Sequence, residues 1–293
     1  MTRIGIIAVV LWICLVSCSD KVKVKTDYEK LNLKGNIKNI TEIYFLPEMS
    51  GDTIRRGERT TNETSFFQLD GDDEIFISYE TKVYFNHDGN ITECTMTDST
   101  SGFYFREVLE YQDKLLQSKQ GLLSNNFFYK EIFKYDKKNR ETERIFYDSE
   151  KHPFESVIRE YPDKNTIIEL VYTDNEGSNF EKEIRLKDGL PVSSTVRTDS
   201  LHVIEKWTGE YDDNGRMIVS KFYNDQNELI QYTKCTYDEF GNEFDFFVYT
   251  GVGELVAAHK HRYKYDELNN WTQQVSIINN YPEVIMERNI IYY

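Results

Sequence analysis

The chain has few residues that interrupt secondary structure and few that cross-link it. Among its 293 residues are five prolines and four cysteines, and no stretch rich in proline, glycine or serine marks a linker. Length alone allows one or two domains. Helical periodicity is absent past residue 30, whereas 21 tyrosines and 18 phenylalanines suit a pleated, half-buried surface. These features predict an all-β protein.

Positive charge is also scarce. The sequence has 35 basic residues against 50 acidic ones, a formal net charge of −15. Nucleic-acid-binding proteins use lysine and arginine to neutralise phosphates, so this balance argues against a nucleic-acid partner.

Motifs that identify enzymes are missing as well. The sequence contains no G-x-S-x-G elbow, phosphate-binding loop or dinucleotide fingerprint, and it predicts no cofactor. His259 and His261 share one strand face, but zinc needs three or four ligands and no third is evident. The acidic stretch LDGDDEIF (Leu69–Phe76) has its glycine in the second place, whereas a calcium loop needs it in the sixth. We therefore predict no metal site, and the balance leans away from an enzyme.

The most apolar stretch lies at the amino terminus. Ile4–Val16 is 13 residues long, whereas a helix needs about 20 to span a bilayer, so a signal peptide fits better than a membrane anchor. The sequence LVSC (Leu15–Cys18) resembles the bacterial lipobox, in which the signal is cut before a cysteine that then carries acyl chains. The resemblance implies a signal peptide over residues 1–17, lipid attachment at Cys18 and a short tether over residues 18–27. An ordinary secretory signal is the alternative.

This resemblance places the protein in the bacterial cell envelope, held to a membrane by lipid on Cys18. Ser19 follows the cysteine, whereas enteric lipoproteins retained at the inner membrane carry aspartate there. The expected location is the outer membrane, with the leaflet undecided. Cys94 and Cys235 could pair in an oxidising envelope or could be two buried free thiols.

A degenerate repeat runs through most of the chain. Its aromatic or aliphatic positions recur every 24 to 28 residues at Phe85, Tyr111, Tyr135, Tyr161, Leu186, Tyr211, Tyr237 and Tyr265. Most are followed by aspartate and then by glycine or asparagine, residues that supply hairpin turns. A second turn divides each unit, which predicts a meander of some 16–18 antiparallel strands. In CTYDEFGNEF (Cys235–Phe244), Asp238 is accordingly interpreted as a turn former.

The spacing of these motifs resembles the YD repeats of rearrangement-hotspot and teneurin proteins, and more closely small lipoproteins of Bacteroidetes-type bacteria. The likeness covers Tyr84–Tyr293 and implies a single YD-like β-repeat domain over residues 28–293, clearest from residue 84. The large relatives enclose a toxin fragment. This chain is far shorter and has no appended toxin-like segment, so encapsulation is not expected.

Alternation along the strands predicts two unlike faces. In AAHKHRYKYD (Ala257–Asp266), one face carries alanine, histidine and tyrosine and the other carries lysine and arginine. The expected fold is a curled, twisted antiparallel sheet, an open barrel or a spiral, with a partly wet inner surface lined by tyrosines. A transmembrane barrel is disfavoured because neither face is free of charge for long.

The candidate ligand-binding residues are Trp207, Trp271 and Tyr263, whose rings could stack on sugars. Cross-strand aromatic pairing is the alternative role for each of them. The function predicted from the sequence is a lipid-anchored, non-catalytic binding or scaffolding module for a glycan or a protein. An envelope polysaccharide hydrolase with a carboxylate pair, or an immunity-like partner of a neighbouring toxin, are the alternatives.

Overall fold

A computed structural model describes residues 24–61, 80–98, 100–173, 179–198 and 202–293. It contains one short helix, α1 (Asp27–Lys30), and 19 strands in a single sheet. No helix among these residues is long and apolar enough to cross a bilayer. The strands are β1 (Ile37–Ser50), β2 (Thr53–Thr60), β3 (Glu80–Phe85), β4 (Ile91–Asp98), β5 (Phe103–Gln112), β6 (Leu115–Leu123), β7 (Asn126–Tyr135), β8 (Glu141–Tyr147), β9 (Pro153–Asp163), β10 (Thr166–Thr173), β11 (Asn179–Lys187), β12 (Leu190–Thr198), β13 (Val203–Tyr211), β14 (Met217–Tyr223), β15 (Leu229–Tyr237), β16 (Glu243–Thr250), β17 (Leu255–Tyr265), β18 (Trp271–Ile278) and β19 (Tyr281–Tyr292).

The sheet closes on itself. From β3 to β19 every strand pairs antiparallel with the next, and β1 joins the two ends of this series. On one side Ile40 of β1 lies opposite Ile290 of β19, and on the other it lies opposite Val83 of β3. Within the described ranges, β2 pairs only with the later part of β1, so the ring has 18 strands. The predicted all-β antiparallel meander is confirmed, and among the predicted forms the barrel is correct but closed rather than open.

The repeated motif forms one kind of turn. In the β7–β8 turn, Asp136 Oδ1 accepts hydrogen bonds from the backbone N–H groups of Lys138 (2.8 Å) and Arg140 (3.0 Å), and Asn139 has φ of 63°. Asp212, Asp238 and Asp266 accept the same pair of bonds in their own turns. This geometry is a three-residue hairpin loop whose last residue is left-handed, which explains the glycine or asparagine at that place. The prediction that Asp238 is a turn former is confirmed.

Successive turns of a meander alternate between the two ends of a barrel. The turns from β3–β4 to β17–β18 that leave odd-numbered strands therefore lie at one end, which we call the aspartate-turn end. They begin at Asn86, Asp113, Asp136, Asp163, Asp188, Asp212, Asp238 and Asp266.

Tyrosines near the ends of odd-numbered strands, four of them motif tyrosines, close the strand pairing at this end. Pairing of β8 with β9 stops at Glu143 and Ile158, and the Tyr161 hydroxyl then donates a hydrogen bond to the Glu141 carbonyl at 2.7 Å. The same bond joins other even-numbered strands to their successors, at Tyr135–Leu116, Tyr211–Pro191, Tyr237–Met217 and Tyr263–Glu243. Each tyrosine thus satisfies a carbonyl that the ladder leaves unpaired.

The two faces of the barrel differ as the alternation predicts. The inner face holds most of the buried residues, which lie opposite one another on neighbouring strands, as Val83 does with Cys94 and Ser194 with Trp207. The outer face carries ion pairs between neighbouring strands, including Arg106–Glu93, Lys134–Glu143 and Lys221–Glu210.

The best-packed part of the interior lies under the ring closure. Its buried members are Leu33, Ile37, Ile40, Val83, Phe85, Ile91, Cys94, Met96, Phe105 and Leu109. The segment before β1 fixes this region to the aspartate-turn end, because Asp27 accepts hydrogen bonds from Ile91 N–H (2.8 Å) and the Tyr111 hydroxyl (2.9 Å). Packing therefore reaches Asp27, the last residue of the predicted tether.

Candidate functional site

A cleft of about 280 Å³ opens where two strands separate at the aspartate-turn end. Pairing of β16 with β17 stops at Asp245 and Lys260, whereas β15–β16 and β17–β18 remain paired farther toward this end. The cleft is lined by Asp238, Glu239, Phe240, Phe244, Arg262, Tyr263 and Tyr265. Because it lies in a gap in the ladder, residues from both faces of the sheet reach it.

The aromatic wall of the cleft is held by the β15–β16 turn. The Phe240 and Tyr265 rings lie 4.5 Å apart between centroids, and the Tyr265 hydroxyl donates a hydrogen bond to the Asp238 carboxylate. Asn242 Nδ2 donates to the same hydroxyl oxygen at 3.1 Å. Burial and then the hydrogen bond to Asp238 raise the pKa of Tyr265, so it stays a neutral phenol at physiological pH.

The open side of the cleft is charged. Arg262 and Glu239 are both exposed, and the Arg262 guanidinium lies over the Phe244 ring at 5.2 Å. This arrangement combines ring faces with a five-donor cation and a carboxylate acceptor. It suits a ligand with both apolar and hydrogen-bonding faces.

Tyr263 and Trp271 lie next to each other. Tyr263 lines the cleft and donates its hydroxyl hydrogen to the Glu243 carbonyl at 2.7 Å, and its ring lies 6.0 Å from that of Trp271. Trp271 does not line the cleft, because the Arg288 guanidinium covers its ring at 3.3 Å from the centroid. Arg288 in turn donates to buried Glu42 at 2.8 Å.

Trp207 lies on the inner face of β13, away from these residues, and is 2% exposed. Its indole extends along its own strand over Gly209, where an added Cβ would lie 2.5 Å from the ring. The structure therefore places Tyr263 at the cleft, Trp271 behind it and Trp207 in the interior packing.

A row of alternating charges crosses the inner face from β6 to β11. Lys119 pairs with Glu131 (2.9 Å), Glu141 binds both Arg144 (3.1 Å) and Arg159 (2.8 Å), and Arg159 also binds Glu169 (2.7 Å). We call it the inner-face charge ladder, with members Lys119, Glu131, Arg144, Glu141, Arg159, Glu169 and Lys182. Its side chains neutralise one another across adjacent strands, as buried charges require.

The two histidines of β17 occupy separate settings on the inner face. The His259 ring packs edge-on against Phe246, and burial followed by repulsion from His261 lowers its pKa. His261 Nε2 lies 3.4 Å from Glu243 Oε1, and its Nδ1 contacts Ser276 Oγ at 3.2 Å. Among the described residues, no three histidine, cysteine or acidic side chains are grouped so as to hold a metal.

Cys94 and Cys235 are free thiols on β4 and β15. Cys94 is buried, and burial together with the Glu107 charge raises its pKa. Burial and the Glu243 charge raise the pKa of the half-buried Cys235 to about 12. Since the thiolate is the nucleophile, both are poorly reactive at neutral pH.

Two features of the sequence lie outside the described residues. These are the predicted lipid attachment at Cys18 and the acidic stretch Leu69–Phe76.

Sequence reasoning missed most of the cleft. Of its lining residues only Tyr263 was a candidate, and Phe240, Phe244 and Arg262 were not. Phe240 stands inside the turn motif DEFG, where the corresponding residues Asp88, Lys138 and Asn214 of other turns are polar and only Leu268 is also apolar, and an aromatic residue at this place was the available signal.

Comparisons with known proteins identify no family. No protein-family model and no curated protein matches the chain. A porin-like protein from Bacteroides uniformis matches with a TM-score of 0.30 and 9% identity, over 87% of this chain and 96% of that one. A porin-like protein from Bacteroides vulgatus matches with a TM-score of 0.32 and 9% identity, over 89% and 99%. The Tc holotoxin pore of Photorhabdus luminescens matches with a TM-score of 0.19 and 10% identity, over 71% of this chain and 15% of that one. Such low scores carry no information about function.

Proposed function

We propose that this protein is a lipid-anchored, non-catalytic binding protein of the bacterial cell envelope that holds a saccharide in the cleft between β16 and β17. The observation that carries the proposal is the cleft itself, where aromatic rings stand beside an exposed arginine and an exposed carboxylate. Its volume of about 280 Å³ is near the lower limit of ligand pockets, roughly 300 Å³. A short saccharide segment suits that size better than a protein segment.

The chemistry of a sugar ring matches these walls. Its C–H faces can pack on Phe244, Phe240 or Tyr265, as amphipathic and aromatic rings allow. Its hydroxyl groups can accept hydrogen bonds from Arg262 and donate them to Glu239.

The anchor at Cys18 remains part of the proposal, with the outer membrane as its site. The outer face of the barrel supports a position in water beside the membrane, because charged residues occupy it on many strands and pair across them. Replacing Cys18 with alanine should release the protein into the soluble fraction.

Hydrolysis is less well supported by the carboxylates in the cleft. Asp238 Oδ1 accepts two backbone hydrogen bonds of its turn, and Oδ2 accepts the bond from Tyr265. A general acid or base needs an oxygen that can reach the substrate. Both oxygens of Asp238 are used by hydrogen bonds of the turn and of Tyr265. Glu239 is the other carboxylate of the cleft lining, so the pair that a glycosidase needs is incomplete.

The test is binding of short neutral and acidic oligosaccharides to the mature chain carrying Cys18→Ser, measured by calorimetry. We expect binding that Phe244→Ala and Arg262→Ala each weaken by at least about tenfold, the loss expected when one stacking or charged contact is removed. Phe247→Ala and Lys264→Ala, on the same strands but outside the cleft, are the matched controls and should bind normally. Equal losses in the controls, or no binding to any oligosaccharide, would reject the saccharide site. Release of new reducing ends would instead identify a hydrolase.

A further inference from the structure

We propose that the aspartate-turn end of the barrel rests on a bilayer with anionic headgroups, and that five lysines make the contact. We call this set the lysine arc; its members are Lys114, Lys137, Lys138, Lys164 and Lys187.

The arc occupies consecutive turns at one end of the barrel. Four of its lysines lie in the β5–β6, β7–β8 and β9–β10 turns, Lys187 is the last residue of β11 beside the β11–β12 turn, and all five are exposed. Among the described residues, none of these lysines takes part in an ion pair. An anionic surface could therefore approach them without breaking an internal contact.

The aspartates of the same turns offset this charge only in part. Asp136 is bound by the Arg140 guanidinium and by backbone N–H groups, and Asp163 accepts hydrogen bonds from Asn165 N–H and the Thr166 hydroxyl. Asp113 and Asp188 are exposed. The five lysines outnumber the four aspartates of these turns, so the arc has an excess of positive charge. The protein as a whole has a net charge of −15.

Three other turns of the aspartate-turn end carry exposed negative charge. The β13–β14, β15–β16 and β17–β18 turns present exposed Asp213, Glu239 and Glu267. Since like charges repel, an anionic membrane would attract the lysine arc and repel this sector. The saccharide cleft lies in the repelled sector, so the proposed orientation leaves its mouth open to water.

The amino-terminal segment reaches the barrel at the same end. Tyr28 N–H donates to the Gly89 carbonyl at 3.0 Å, Asn32 Nδ2 to the Phe240 carbonyl at 2.6 Å, and Lys34 N–H to Asn270 Oδ1 at 2.8 Å. Asn32 and Lys34 thus reach turns of the acidic sector, but the segment first enters this end beside the lysine arc, where Asp27 Oδ2 accepts the hydroxyl hydrogen of Tyr111, two residues before the β5–β6 turn. Cys18 precedes Asp27 by nine residues, and a chain of that length spans at most about 30 Å. A lipid on Cys18, as proposed above, would hold this end close to the bilayer.

The experiment separates the lysine arc from the lipid anchor and from the saccharide cleft. The mature chain carrying Cys18→Ser is mixed with vesicles of phosphatidylcholine alone or with phosphatidylglycerol added, and bound protein is measured by co-sedimentation. We expect binding to the anionic vesicles only, weakening as salt is added, because salt screens exposed charges.

Replacing all five lysines of the arc with glutamine should weaken this binding by at least about tenfold, since each surface lysine contributes a factor of roughly five. The matched control replaces Lys130, Lys151, Lys206, Lys234 and Lys260, which lie on the outer face or at the opposite end and change the net charge equally. Oligosaccharide binding should survive in both variants. Equal weakening by the control, or no binding of the starting protein to anionic vesicles, would overturn the proposal and leave the saccharide site untouched.

Discussion

The Tyr161 hydroxyl donates a hydrogen bond to the Glu141 carbonyl at 2.7 Å, across the gap where β8 and β9 cease to pair. The two residues lie 20 positions apart, and the same bond at similar length recurs along the barrel. At Tyr135, Tyr161, Tyr211 and Tyr237 the tyrosine of the repeated motif is therefore a structural residue that completes the ladder. Tyr263 makes this bond and also lines the cleft, so it combines both roles.

The first prediction concerns these hydroxyl groups. Tyr161→Phe should lower the free energy of unfolding by about 1 kcal/mol, because the Glu141 carbonyl loses its donor while the ring stays in place. Urea denaturation measures the change. Tyr281→Phe, at a tyrosine that is 73% exposed, is the matched control and should change stability by less than about 0.5 kcal/mol. Equal changes in the free energy of unfolding at both positions would contradict a structural role for the Tyr161 hydroxyl.

The second prediction compares two glutamates on opposite faces of β8. Glu141→Gln should destabilise the protein by roughly 1–3 kcal/mol, because Arg144 and Arg159 lose a shared carboxylate at a site where all three side chains are less than one fifth exposed. Glu143→Gln on the outer face should cost less than about 1 kcal/mol, because its partner Lys134 is 55% exposed. A larger loss at Glu143 would contradict the importance of the inner-face charge ladder.

The third prediction is an acid dependence of stability. At Asp136 and Asp212, burial opposes ionisation, but hydrogen bonds from the backbone and from Arg140 or Arg216 outweigh it and lower the pKa. A carboxyl whose pKa is lower in the folded state stabilises the fold above its unfolded pKa of about 3.9. That contribution is lost as the pH falls through the lower folded value. Stability should therefore decline below about pH 4.

The matched variant for this acid dependence is Asp136→Asn with Asp212→Asn. Asparagine can keep the turn, since Asn86 Oδ1 accepts the equivalent backbone bonds from Asp88 and Asn90. The double variant should show a flatter decline in denaturant midpoint between about pH 5 and pH 2 than the starting protein. An unchanged slope would assign the acid sensitivity to other carboxylates.

The fourth prediction concerns Gly121. The Tyr129 ring lies across this glycine, and its hydroxyl donates a hydrogen bond to buried Glu107. A Cβ at position 121 would lie 2.2 Å from the ring. Gly121→Ala should destabilise the protein by about 1–3 kcal/mol through this clash.

In a Tyr129→Leu background the same change should cost close to nothing, because alanine is otherwise preferred to glycine within a strand. A double-mutant cycle from urea denaturation measures the coupling. An undiminished cost in that background would mean that the backbone, and not the ring, requires glycine.

The sequence by itself determined the elements and their turns. An aspartate bonds to backbone groups two and four residues ahead, and a glycine or asparagine takes the left-handed position of the same loop. These interactions are local, so they can be recognised from a short motif. Alternation likewise assigned Tyr263 and His261 to one face and Arg262 to the other, because successive side chains in a strand point to opposite sides.

Only the tertiary structure decided closure, the charge ladder and the cleft. Closure requires Ile40 to pair with both Val83 and Ile290, and this register depends on the stagger accumulated over the intervening strands. Ladder partners and the separation of β16 from β17 depend on registers that shift at a bulge near the end of most hairpins. A one-residue shift would send Arg159 to the other face. The period of the sequence predicts which residues share a strand face, but contacts between strands follow from registers that the whole ring sets together.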